Sequence, residues 1–450
     1  MAVRNDALGA RTVRKVTLRI IPFVFVLYIV NYIDRANIGY ASLGMNEELG
    51  LTSQAFGLAA GLFFIGYFLF EVPSNIALAK FGARKWIARI LLTWGAIGTL
   101  MAFVDSEWQL YTLRFLLGVA EAGFFPGVIV YLSFWFRGKE LATATALFTA
   151  AIPVSYIIAA PMSTLILDHV HWLGLSSWRW VFILECLPAI ALGIACYYFL
   201  TERPKDAKWL TTEERNWLEG ELAEDNAASA DRKHLGTWQA ISNPKVLYLA
   251  VIYFVYQAGS LGVGYWMPQI IKGFSATLSN VQIGLIGMVP YIAATVVMIW
   301  WSRRSDRTGE RKIHTYVPLG FAAVGLFLSG LVIGTPVLAV LFISISLAGL
   351  YAFKSPFWTL PRLFLDRGTA VVAIAAINSI GNLGGFAGPY ALGFAKDSTG
   401  SSTAGLIFLS ALLVIAFAMA MAIRLKSTRT ATDPGHDADP SEATVAEPAK

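Results

Sequence analysis

Long apolar runs separated by short polar turns fill most of the chain. Windows of about 20 residues, each long enough to cross some 30 Å of hydrocarbon, fall near 18–40, 55–79, 86–104, 109–135, 141–167, 178–200, 246–271, 281–301, 314–333, 336–360, 370–395 and 404–424. The runs are continuous and do not alternate with period two, so they predict helices and disfavour an outer-membrane barrel. The longest polar interval between them, 201–245, follows the sixth window. The expected fold is therefore an all-α integral membrane protein of about twelve transmembrane helices in two six-helix halves, 18–200 and 246–426. A segment 1–17 precedes them, and a tail 427–450 without apolar periodicity is expected to be disordered. Composition agrees: 56% of the residues are hydrophobic and 14% charged, with mean hydropathy +0.59, outside the range of soluble domains.

Arg11, Arg14, Lys15 and Arg19 precede the first window like the n-region of a signal peptide. No small-residue cleavage site follows, so the run reads as an uncleaved helix. Basic residues then collect in alternate turns: Lys80, Arg84 and Lys85; Arg137 and Lys139; Arg303, Arg304, Arg307, Arg311 and Lys312; Arg362 and Arg367. The positive-inside rule puts these turns and both termini in the cytoplasm. That bias accounts for the net charge of +6 without nucleic-acid binding. Within the polar interval, "TTEERNWLEGELAE" has Trp217, Leu218 and Leu222 at helical spacing behind Thr211 or Thr212, which predicts a capped surface helix. Cys186 and Cys196 share one apolar run and need no disulfide. His169 and His171 lack further ligands nearby, so no metal site is expected.

Ionisable groups inside the spans cost several kcal/mol and mark function by default. They are Asp34 and Arg35, Glu71, Arg114 and Glu121, Glu185 and Lys354. Most lie in the first half, where the proton-coupling machinery is expected. Arg114 and Glu121, two turns apart, share a helix face. Together with Asp34 and Arg35, such a set binds an anion and carries a proton; the alternative is structural ion pairing, Arg114 with Glu121 and Asp34 with Arg35. Glu71, beside Pro73, either joins the proton path or bonds backbone freed by the proline, and Glu185 is expected to pair with Arg179. Lys354 either snorkels to the helix end or adds a second-half cation facing the cavity. The glycines of "SIGNLGGFAGPY" predict close helix packing, and Pro153, Pro161, Pro268 and Pro290 predict kinks that help gating. No nucleophile–base or metal cluster marks an enzyme.

The halves echo each other. "SRRSDRTGERK" (302–312) and "NIALAKFGARK" (75–85) stand at equivalent places, and both resemble the loop signature of the major facilitator superfamily. That resemblance implies a conformational lock at Asp306, Arg307 and Gly309, with Gly82 and Arg84 in the first copy. The first copy has Ala79 and Lys80 where the family often has Asp and Arg, so its lock is expected to be built differently. "YIDRANIGYA", "GYFLFEVPSN", "RFLLGVAEAGFFPG" and "TERPKDAKWLTTEER" are similar to the anion:cation symporter family of the same superfamily, whose members carry tartrate, phthalate, hydroxyphenylacetate and sugar acids. The resemblance implies proton coupling at Asp34 and Glu121, and carboxylate recognition at Arg35 and Arg114. It also implies cavity tyrosines Tyr32 and Tyr67, and polar contacts at Asn378. With Lys354 in the cavity, Ser355, Trp358 and Asn382 join the site and a substrate with two carboxylates is favoured. The family's antiport signature is absent from "LATATALFTAAIPVSYIIAAP", which favours symport. The expectation is a monomeric, proton-driven importer of a small organic anion in the bacterial inner membrane, with the proton as coupling ion and no other cofactor. A uniporter, an exporter or a sensor without flux are the alternatives.

Overall fold

The computed structural model describes residues 2–230, 242–275, 277–364 and 367–423. The tail expected from 427 onward, and residues 231–241 of the central interval, lie outside the described residues, as do the side chains of Lys139, Arg362 and Arg367. The first half contains α1 (Ala2–Glu48), α2 (Ser53–Phe81), α3 (Ala83–Leu100), α4 (Glu107–Glu121), α5 (Phe124–Ser133), α6 (Gly138–Thr149), α7 (Ala151–His169) and α8 (Ser177–Phe199). The polar interval forms α9 (Thr212–Ala230). The second half contains α10 (Pro244–Lys272), α11 (Asn280–Thr308), α12 (Lys312–Leu331), α13 (Pro336–Phe357), α14 (Leu360–Phe364), α15 (Arg367–Asn382), α16 (Gly384–Thr399) and α17 (Ser402–Ala422).

Among the described residues, eleven helical stretches are long and apolar enough to cross a membrane. A twelfth crossing is made by α15 and α16 together, which are separated at Leu383. Local chemistry sets the boundaries. The Thr52 hydroxyl accepts the Ala55 N–H at 3.0 Å to start α2, and Ser279 with Gln282 forms a capping box at the start of α11. Gly82 (φ +90°) and Gly309 (φ +67°) end α2 and α11 with positive φ, a conformation that favours glycine. Pro161, Pro268 and Pro290 lie inside α7, α10 and α11, and Pro153 falls in the first turn of α7, where its missing N–H costs nothing.

The first and second halves meet through α2 against α16, α7 against α11 and α1 against α10. Contact at the α2–α16 seam is backbone to backbone. A Cβ on Gly57 would run into the Pro389 carbonyl and one on Gly393 into that of Ser53, so glycine is what lets these helices touch. In "SIGNLGGFAGPY" the same holds within the second half, where Gly384 and Gly388 sit on the Phe254 and Ala258 carbonyls.

The hydrogen bonds that join the halves gather at the bundle end opposite the N-terminus. Asp397 accepts from the Ser53 and Gln54 N–H groups at 3.0 and 2.7 Å. Asp168 accepts from Asn280 Nδ2 and the Val281 N–H at 2.7 and 2.9 Å. Gln269 donates to the Ser42 hydroxyl at 2.9 Å, and Lys272 to the Leu43 carbonyl at 2.9 Å. Of these contacts across the seam, the one nearest the N-terminal end is made by Glu71, which accepts from Ser379 and Asn378. The bundle is thus closed at the end opposite the N-terminus.

Helix α9 is docked on the first half. Glu214 accepts the Thr211 N–H at 2.9 Å while its own N–H donates to the Thr211 hydroxyl at 3.2 Å, the reciprocal cap expected from sequence. The same buried carboxylate receives Lys15 at 2.8 Å and Arg11 at 3.3 Å from α1. Burial works to raise the Glu214 pKa, yet Lys15, the Thr211 N–H and Arg11 outweigh it and hold the carboxyl below its ordinary value of 4.5.

Candidate functional site

The charged residues of the first half meet between helices, but not in the pairs that sequence proximity offers. Consecutive residues on a helix point about 100° apart, so Asp34 and Arg35 diverge. Arg35 reaches α4, where its Nε donates to Glu121 Oε1 at 2.7 Å and Nη2 forms an ion pair with the same oxygen. Its guanidinium lies over Tyr32, Phe63 and Tyr67 at 5.1–5.3 Å. Asp34 turns into the core of the first half. Its Oδ1 accepts from Asn37 Nδ2 at 3.1 Å and Cys186 Sγ at 2.7 Å, and its Oδ2 from Trp94 Nε1 at 2.8 Å. Cys186 therefore does more than pack.

Arg114 and Glu121 share a face but lie two turns, about 10.5 Å, apart along the axis, too far for direct pairing. Arg114, fully buried, donates to the Ala59 and Ala60 carbonyls at 3.2 and 3.4 Å, leaving Nη1 without a partner. Gly118, between them, lets α4 rest on the α2 backbone at Phe63. Glu121 stands at a break in the fourth crossing: Ala122 leaves the helix and Gly123 adopts φ +84° before α5 begins. Asn31 is buried beside the Glu121 carboxylate.

Two expected pairings are corrected. Glu185 does not meet Arg179, because six residues carry it about 240° around and 9 Å along the helix. It accepts instead from the Ser163 hydroxyl at 2.6 Å, while Arg179 pairs with Glu48 and Asp105 at 3.0 and 2.8 Å. Glu71 bonds side chains of α15 across the seam, not backbone freed by Pro73.

Aromatic residues from both halves close the region around Arg35. Tyr156 stacks on Tyr291 at 4.6 Å with rings 6° from parallel, and Tyr32 meets Tyr156 edge-on at 5.9 Å. Tyr67 is buried, and Tyr265 from the second half lies against Arg114 and within electrostatic reach of Arg35. Lys354 lies over the Tyr351 ring at 5.6 Å and near Tyr253, which puts its ammonium on the tyrosine-lined side. Trp358 packs on Tyr253 at 4.8 Å, Ser355 is exposed, and Asn382 accepts from Gln257 at 3.2 Å.

The loop residues form local anchors. Glu202 accepts the Ala83 and Arg84 N–H groups at 2.7 and 3.0 Å, beside Gly82. The first loop copy is thus built around a glutamate from beyond α8. In the second copy Asp306 pairs with Arg311 at 2.7 Å, and Arg307 is exposed.

Two halves of membrane-length helices, some of them discontinuous, with charged side chains buried inside the first half, are the features of a membrane transporter. The Major Facilitator Superfamily profile matches residues 24–389, and the chain belongs to that family, a family of transporters and not of enzymes. A protein of Agrobacterium vitis named for tartrate transport is 48% identical over 434 residues, covering 96% of this chain and 98% of its own. A quinolone resistance transporter of Acinetobacter baumannii is 40% identical over 420 residues, covering 93% and 96%. Among solved structures, the xylose transporter XylE from E. coli in a partially occluded inward open conformation superposes with a TM-score of 0.72 at 14% identity, over 92% of this chain and all of its own. That last likeness concerns the fold.

Proposed function

We propose that the protein is a proton-coupled importer of a small organic acid of the tartrate type, working by alternating access in the bacterial cytoplasmic membrane as a monomer with both termini inside. The observation that carries this reading is the Arg35–Glu121 pair beside an arginine, Arg114, with an uncommitted guanidinium nitrogen. A carboxylate that neutralises Arg35 internally competes with a carboxylate brought by substrate. Protonating Glu121 releases Arg35, so proton and anion bind together. Asp34, held by three donors behind the pair, is the second proton site of this reading.

Lys354 supports two carboxylates on the substrate, one at Arg35 and Arg114 and the other at Lys354 across the seam. The A. vitis relatives at 48% identity, named for tartrate transport, favour the same chemistry. With the N-terminal end cytoplasmic, the closed end faces outward and the conformation is inward-facing. Tyr32, Tyr67, Ser355, Trp358 and Asn378 complete the proposed site, while Asp306, Arg307, Gly309, Gly82 and Arg84 belong to loops that set the inward end.

The test is uptake of labelled tartrate, phthalate, 4-hydroxyphenylacetate and galactonate into proteoliposomes, with and without an inward proton gradient. Accumulation of one acid only with the gradient is expected. Equal uptake under both conditions would sink the coupling. The quinolone resistance relative gives a second reading, export of a drug-like acid, which the same vesicles would reveal as gradient-driven loss of preloaded substrate.

A further inference from the structure

A concave surface of about 570 Å³ lies along the outside of α11, away from the seam, lined by Val296, Ile299, Trp300, Arg303, Arg304 and Arg307. Spacings of three and four residues place these six on one helix face. The upper three are apolar and exposed, Val296 at 63% and Trp300 at 55%, as expected of side chains that meet acyl chains. The three arginines follow within two turns, where the helix leaves the apolar run and ends at Gly309. All three are exposed, and among the described residues none has a carboxylate partner; Arg304 only rests over Trp300 at 5.9 Å.

A second groove at the same end of the bundle makes the contrast. It is lined by Lys15, Arg19 and apolar residues of α1 with Phe199, but its cations are committed. Lys15 is bound to Glu214 at 2.8 Å, and Arg19 stacks on Phe199 and Trp209 at 4.4 and 5.4 Å. At α11, three guanidinium groups remain without counter-charge directly beneath an apolar strip.

We infer that this face of α11 is a binding site for an anionic phospholipid, its phosphate held by Arg303, Arg304 and Arg307 and one acyl chain lying along Val296, Ile299 and Trp300. Guanidinium groups suit the task, because their planar fork matches phosphate oxygens two at a time. The inference does not depend on which substrate is carried or on proton coupling.

Native mass spectrometry of the full-length protein in detergent, titrated with phosphatidylglycerol or phosphatidylcholine of identical chains, tests it. Juxtamembrane cations each contribute about fivefold in affinity, so the first phosphatidylglycerol is expected to bind at least tenfold more tightly than phosphatidylcholine. The preference should vanish in Arg303→Gln/Arg304→Gln/Arg307→Gln and largely return in the triple lysine variant. Single Arg→Gln variants, each losing about fivefold, keep the test readable if the triple glutamine variant does not fold. Equal binding of the two lipids, or unchanged preference in the glutamine variants, overturns the inference. So does displacement of the lipid by millimolar inorganic phosphate, which would mark a site for free anions.

Discussion

The two aspartates that cap helices across the seam make the sharpest prediction. Asp397, at the end of α16, covers the first N–H groups of α2, and Asp168, at the end of α7, covers the start of α11. Each leaves one half and caps a helix of the other, so these bonds exist only while this end is closed. Removing a capping carboxylate costs about 1 kcal/mol, and loss of the charge at a helix N-terminus falls in the same range. The two sites are on different helix pairs, so their effects should add. Asp168→Ala/Asp397→Ala should then weaken closure by about 2 kcal/mol, a shift of about 30-fold in the ratio of closed to open populations. Spin labels at the exposed positions Glu47 and Ser398 measure it by double electron–electron resonance, since the free cysteines are both buried. The distance distribution should move toward a longer separation, with each single variant intermediate. An unchanged distribution in the double variant would refute the idea that these caps hold the end shut.

Three further outcomes are expected. Cys186→Ala removes one of three donors to the buried Asp34 carboxylate, so thermal stability in detergent should fall by the equivalent of about 1–3 kcal/mol; an unshifted melting curve would remove the thiol from the Asp34 shell. Glu214 has its folded pKa depressed, so its contribution is full above the ordinary value of 4.5 and is lost as pH falls through the folded value. Wild type should therefore melt above Glu214→Gln at pH 7 and converge with it on acidification, whereas a gap that persists at low pH contradicts the ionic account of α9 docking. Lys354→Met should raise KM for a dicarboxylate about tenfold or more while leaving a monocarboxylate nearly unchanged. A parallel loss for both would place Lys354 outside substrate recognition.

The bundle was legible because each crossing needs a run of apolar residues that nothing else in the chain resembles. The twelfth crossing is the instructive case: the run 370–395 reads as one helix, whereas the structure divides it at Leu383 into α15 and α16, where glycines such as Gly384 and Gly388 rest on the backbone of α10. Which residues carry charge inside the membrane could also be read from the chain. Their partners could not, because pairing depends on helix phase. Arg35 next to Asp34 in sequence looks like a pair, whereas a 100° turn per residue sends one to α4 and the other to Cys186 and Trp94. The break after Glu121 left a trace in "EAGFFPG", a glycine three residues before a proline. Tyr156, Tyr291 and Asn31 left none, since a tyrosine at a seam and a tyrosine in a core have the same neighbours in sequence.

Glu121→Gln provides the most direct test of the central claim. The glutamine resembles the protonated acid and frees Arg35 from its ion pair. Reconstituted in proteoliposomes, the variant should still exchange internal for external labelled substrate at a rate near wild type, yet fail to accumulate it under an inward proton gradient. Normal accumulation by the variant would show that Glu121 carries no coupled proton, and the Arg35–Glu121 pair would then be a structural tie between α1 and α4.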